Sequence, residues 1–248
     1  MRLPTGIGRK LFLLVMFVGA AVITAVSLGY FDSDELPPFV IERLPVVKFP
    51  SLWLLALKVH VASALVSLPL CLCLMMRGVQ RRPLLHRWLG RVTGAWVMVG
   101  LVPSGAVLAF NAKGGVPVSA GFLLSGAIIA YGMVYGVLAA RRRDMVAHSR
   151  AMRHVVAQMS VAVFSRAMIV GFDVLEFDPD VAYVISLWVP VLFTAAVAEA
   201  VSRRSRLSLG NFLTLVTQTM KGPYHALKPH TVLVRARSYG HSVARHGR

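Results

Sequence analysis

Apolar residues in this chain fall into six long blocks, and charged residues collect between the blocks rather than within them. The blocks run over about 11–29, 52–74, 91–111, 118–139, 152–171 and 183–201, each close to the roughly 20 helical residues that cross a bilayer core. The pattern predicts an all-α protein, a polytopic membrane bundle of six transmembrane helices within residues 1–201, with helices two to five as a four-helix core. From 202 to 248 the chain turns polar and basic, cannot bury enough apolar surface to fold alone, and reads as a largely disordered tail. The first block follows Arg9 and Lys10 and ends near Ala25-Val26-Ser27, as a signal peptide would. Its apolar run exceeds the roughly 7–15 residues of such a segment, so an uncleaved helix is expected.

Composition supports this reading without refining it: 56% of residues are hydrophobic and the mean hydropathy is +0.67. Charge refines it. The net charge is +17, and the arginines sit in alternate gaps: Arg77, Arg81, Arg82, Arg87 and Arg91 in one, Arg141, Arg142, Arg143, Arg150 and Arg153 in another. The intervening gaps hold most of the acids, among them Glu42, Asp173, Glu176, Asp178 and Asp180, while only Asp144 and Glu199 fall on the basic side. By the positive-inside rule both termini face the cytoplasm, and the protein belongs in the inner, cytoplasmic membrane. The basic loops and tail attract anionic lipid at that face, about 1 kcal/mol for each Lys or Arg near the surface. No nucleic-acid-binding module accompanies the charge, so nucleic acid is not expected as a partner. Cys71 and Cys73 are poorly spaced for a disulfide or a zinc site and read as small packed residues. GxGxxG, Walker, HExxH and GxSxG patterns are absent from the sequence.

Titratable residues inside the blocks are the candidate chemistry, because a polar group in hydrocarbon is costly. His60 and Arg166 each lie 14 residues from the basic end of their helices, about 21 Å away at 1.5 Å per residue, and so share one depth. A haem propionate, a quinone carbonyl or an anionic substrate fits between them. The alternative has Arg166 reaching Asp173 and Glu176 while His60 bonds a helix carbonyl. At the basic side, His86 and His148 stand at similar depth near the starts of the third and fifth helices, and His154 lies about 9 Å deeper. Two imidazoles on different helices at matched depth are what the iron of a b-type haem needs, with Arg87 and Arg91 beside them for its propionates. The alternative places these histidines at the membrane interface, bonded to loop carbonyls or lipid phosphate. Gly126, Gly132 and Gly136 suggest close approach of a neighbouring helix, and Tyr131 with Tyr135 share one face, expected to pack in the core, with the lining of a cofactor cleft as the alternative.

At these residues the chain resembles the DUF2306 family of prokaryotic membrane proteins. The resemblance covers about residues 50–175 and rests on His60, on His86-Arg87 with Gly90-Arg91, on His148 with Met152, and on Arg166. Two positions depart: Ala151 stands where the family usually has Trp, and His154 where it has Arg, with Arg153 adjacent. The family implies no established activity. Its histidines at helix ends are similar in layout to those of membrane cytochromes of the b561 and ferric-reductase type.

Three functions follow as expectations. The first is electron transfer by a haem- or quinone-associated protein, with His86 and His148 as axial ligands to haem iron and a quinone or redox protein as partner. The second is transport of a small anion or a proton-coupled substrate through His60 and Arg166. The third is a non-enzymatic membrane subunit that docks a partner or lipid on its basic edges.

Overall fold

The computed structural model describes residues 5–31 and 37–221, with side chains over 7–31 and 37–203. Among the described residues every regular element is a helix: α1 (Thr5–Ser27), α2 (Pro38–Arg43), α3 (Pro50–Met75), α4 (Arg77–Gln80), α5 (Pro83–Ala95), α6 (Val102–Phe110), α7 (Gly115–Arg141), α8 (Met145–Val174) and α9 (Pro179–Lys221). A single turn of 3-10 helix, Leu28–Phe31, extends α1, and a π-helical segment, Trp96–Leu101, joins α5 to α6 without a break. Six helices are long and apolar enough to cross a membrane, over Ile7–Phe31, Pro50–Met75, Pro83–Phe110, Gly115–Arg141, Met145–Val174 and Pro179–Arg203. Both α5 and α8 begin well before their apolar blocks. Pro83 occupies a first-turn position, where a missing N–H costs nothing, and the Asp144 carboxylate accepts from the Ala147 N–H at 2.9 Å to cap α8. His86 and His148 therefore sit on the first turns of α5 and α8, inside the helices rather than ahead of them.

The helices pack as one bundle around Met16, Leu68, Leu72, Val97, Leu101, Met133, Val155 and Met159, so α1 joins the expected core of spans two to five. Gly19 admits it: a Cβ there would meet Val163 Cγ1 at 2.3 Å. Val118, Val161, Leu187 and Val191 attach α9, and Val40, Val47, Trp53 and Leu57 fold α2 onto the far end of α3. Large apolar side chains such as Val26, Val99 and Val116 stay exposed around the perimeter, a surface suited to lipid. Gly132 and Gly136 meet α8 as expected, whereas a Cβ on Gly126 would meet nothing within 4 Å. Tyr131 and Tyr135 do stack, with ring centres 5.7 Å apart, but they are 71% and 44% exposed; their shared face looks outward, not into the core. Cys71 is buried and Cys73 half-buried, both free thiols.

The π-helical segment has an identifiable cause. Pro103 cannot donate to the carbonyl four residues before it, and its ring crowds that carbonyl, so the wider turn relieves the strain. Gly100 faces Ser63 there: a Cβ would fall 2.1 Å from Ser63 Oγ and 3.1 Å from Ser63 Cβ. Gly100→Ala is expected to cost about 1 kcal/mol, and Ser63→Ala in the same chain to recover part of it, read as Tm in detergent. The chain divides into two units at Arg203 and Arg204. Beyond that point the backbone is helical to Lys221, and the remainder of the expected tail lies outside the described residues.

Candidate functional site

At the arginine-rich end of the bundle α7 and α8 press together. A Cβ on Gly136 would lie 2.2 Å from Met152 Cε and 3.2 Å from Ala151 Cβ, so only glycine allows this approach without rearrangement. The approach brings the Gly136 carbonyl to 2.8 Å from His148 Nδ1. A carbonyl only accepts, so Nδ1 carries the proton, which makes Nε2 the nitrogen that would offer a lone pair to a ligand. The His86 ring on α5 lies edge-on to it, with centroids 6.4 Å apart and planes at 83°. His86 Nδ1 is buried without a hydrogen-bond partner. Arg87 and Arg91 flank His86 on α5, both exposed. The fourth glycine-rich span and the two histidine-bearing helices thus meet at one point. Ala151 is buried at the same crossing, against Gly132 and Gly136, where a tryptophan has no room.

His154 is engaged elsewhere. Its Nε2 lies 3.4 Å from Glu199 Oε2 on α9, and Glu199 also accepts from Arg150 Nη2 at 2.8 Å and from Arg203 Nε at 3.0 Å. Arg153 Nη1 donates to Ser202 Oγ at 3.3 Å. One carboxylate therefore gathers two arginines and the His154 ring and fastens α8 to α9. Breaking it is expected to lower Tm: Glu199→Gln and Arg150→Gln each lose stability, and the double variant loses less than the sum of the two. Additive losses would show that the contact contributes nothing as a pair.

The deeper pair is arranged differently. His60 Nδ1 donates to the Leu101 carbonyl at 3.2 Å and lies 3.3 Å from Ser104 Oγ, so its ring ties α3 to the π-helical segment. Ser104 Oγ also approaches the Leu101 carbonyl, at 3.2 Å. Arg166 is exposed, donates from Nη1 to Ala162 O on its own helix at 3.1 Å, and lies within electrostatic reach of His60. Among the described residues it pairs with neither Asp173 nor Glu176. His86 and His148 are thus brought together, His60 and Arg166 are brought into each other's field, and His154 stands apart with Glu199. Sequence reasoning did not find Glu199 as a hub, nor Gly136 as the group that orients His148. An isolated acid among arginines was the available signal for the first.

Among the described residues no three His, Cys, Asp or Glu side chains gather as they would around a bare metal ion, and His86 and His148 meet as a pair. A two-histidine site suits a metal whose other ligands come from a macrocycle, not a bare ion that needs four protein ligands. No curated protein and no solved structure matches the chain. The family model described as "Predicted membrane protein (DUF2306)" matches residues 57–202, more than half of the 248 residues and reaching from the middle of α3 through the sixth span. The chain belongs to the DUF2306 family of predicted membrane proteins.

Proposed function

We propose that the protein is an electron-transfer component of the cytoplasmic membrane that holds one b-type haem between His86 and His148, with its arginine-rich face and both termini in the cytoplasm. The observation behind this reading is the 6.4 Å separation of the two imidazole centroids. Two imidazoles this close on different helices would be the residues to hold the group between them, each through one ring nitrogen. The Gly136 carbonyl supports it in the way outer partners do at metal-bound histidines: it fixes the His148 tautomer and leaves Nε2 bare. The unpartnered His86 Nδ1 marks that ring as one whose buried nitrogen has a vacancy for a bond. Arg87 and Arg91, exposed on α5 and free of carboxylate partners among the described residues, are the side chains that would pair with propionates. Such a haem, when bound, supplies a reversible one-electron carrier. The chain's own contribution would be to hold the group on the two imidazoles, orient His148 through the Gly136 carbonyl, and neutralise the propionates. A quinone in the membrane or a redox protein at the basic face would be the electron partner, and anionic lipid would surround that face.

The test is the absorption spectrum of the full chain purified in detergent, oxidised and then reduced with dithionite. A Soret band with sharp α and β bands on reduction is expected. Protein that stays colourless after haem is supplied during expression would overturn the reading.

A further inference from the structure

The short connection between α7 and α8 holds a residue in a conformation that its chemistry disfavours. Arg143 has φ +62°, the left-handed region where a Cβ crowds the following carbonyl and glycine is the ordinary occupant. Two backbone bonds fix the turn, from Arg143 N–H to Ala140 O at 3.0 Å and from Asp144 N–H to Ala139 O at 2.9 Å. Membrane orientation asks only for cations somewhere in this loop, and Arg141, Arg142, Arg150 and Arg153 already supply them. Orientation therefore gives no reason for an arginine at the strained position, and strain of this kind points to use of the side chain. Arg141, Arg142 and Arg143 are all exposed, and among the described residues no carboxylate answers them. Met145 and Val146, in the first turn of α8, add an apolar pair that is 54% and 48% exposed. His148 lies on the same opening turn.

The chain has no spare acid to set against this tip. Of its ten acidic residues only Asp144 and Glu199 fall on the arginine-bearing side. Asp144 is spent on the Ala147 N–H, and Glu199 on Arg150, Arg203 and His154. Residues 204–248 contain no acid, so the chain's own tail brings only like charge. A second copy in the same orientation is equally short of free carboxylates, and the answering charge must come from a different molecule. A tight turn fixed by backbone bonds presents its guanidinium groups in a set arrangement, which rewards fixed carboxylates more than mobile lipid headgroups. Exposed apolar residues rimmed by charge also suit a protein–protein contact. We propose that Arg141, Arg142 and Arg143, with Met145 and Val146, form the docking surface for a soluble protein with an acidic face, seated beside His148. That this partner carries electrons rests on the haem reading; the charge match that seats it does not.

The full chain in phosphatidylcholine nanodiscs is titrated at low ionic strength with two labelled probes, flavodoxin and a plant-type ferredoxin, both small acidic electron carriers. At least one is expected to bind, with Kd rising about tenfold when salt is brought to physiological strength. Arg142→Gln is expected to raise Kd about fivefold. Arg143→Gly is expected to raise Kd by a similar factor while raising Tm by about 2 °C, because glycine relieves the left-handed turn. A merely structural role for Arg143 would move Tm the other way. Should Arg143→Gly fail to fold, Arg143→Asn, which also tolerates that region, takes its place. Arg81→Gln, in the other basic loop, leaves Kd and Tm unchanged. Binding by neither carrier, or Kd unmoved in Arg142→Gln and Arg143→Gly, would overturn the proposal. So would a Tm rise in short-chain phosphatidylglycerol over phosphatidylcholine that Arg143→Gly removes, since that assigns the tip to lipid. Colourless protein that still binds a carrier would sink the haem reading and keep the docking surface, and coloured protein that binds neither would do the reverse.

Discussion

His148→Ala is expected to give a folded protein that has lost its visible spectrum. The native ring makes one hydrogen bond, from Nδ1 to Gly136 O, whose net contribution to stability is about 1 kcal/mol. Tm should therefore fall by only a few degrees. Haem content should respond far more, because loss of either ring would leave the group on one half-buried imidazole. Haem retained on purification is expected to fall about tenfold or more in His148→Ala, and likewise in His86→Ala. His154→Ala and His60→Ala serve as the contrast. His154 is engaged with Glu199 and His60 with Leu101 O, so both variants should keep the absorption bands at wild-type intensity. Equal loss of colour in all four variants would assign the effect to misfolding, and retained colour in His148→Ala would remove the ligand assignment.

The spans were legible because block length alone identifies them, and length does not depend on which neighbour a helix meets. Helix starts were less legible: Pro83 and Asp144 carry start signals, but they lie in basic loops that hydropathy excludes, so α5 and α8 began later on paper than in the fold. Faces were the hardest to read. In water a helix declares its buried side by its apolar stripe, whereas in a bilayer both the lipid side and the packed side are apolar. Tyr131 and Tyr135 show the consequence. Their spacing correctly put them on one face, and nothing in it said that the face looks outward. Gly126 failed for the same reason, while Gly132 and Gly136 happened to lie on the packed side.

The candidate site followed a similar division. Matched depth along two helices brought out His86 and His148 before any coordinates, since rise per residue is constant. Depth could not foresee that His154 turns to α9, because the partner Glu199 is 45 residues away in sequence and the direction of each side chain depends on helix rotation. His60 shows the opposite case. Depth gave it Arg166 as a neighbour, and the structure adds the Leu101 carbonyl, made available by a π-helical segment that only the proline at 103 hinted at. Ala151 is a departure from the family pattern that the fold explains: at a crossing built from Gly132 and Gly136, a small residue is what the opposing helix can present.

That crossing is where fold and site depend on each other most, and Gly132→Leu is expected to disrupt both. A Cβ on Gly132 would stand 2.9 Å from Val155 Cγ2 and 3.3 Å from the Ala151 carbonyl. Neither neighbour yields easily. Val155 is 1% exposed and, being β-branched on a helix, has one favoured rotamer; the carbonyl belongs to the α8 backbone. Overpacking of this kind costs about 3 kcal/mol when the backbone itself must move. The helices would separate by pushing α8 outward, and Gly136 O, one turn further along α7, would lose its reach to His148 Nδ1. Gly132→Leu is therefore expected to lower Tm by about 5–10 °C in detergent and to release haem below its own melting temperature, although it touches no ligand. Gly126→Leu, on the same helix where a side chain has open space, is expected to leave both measurements unchanged. If Gly132→Leu melts early yet keeps haem until it unfolds, the α7–α8 contact supports the bundle without orienting His148, and the Gly136 bond is dispensable to the site.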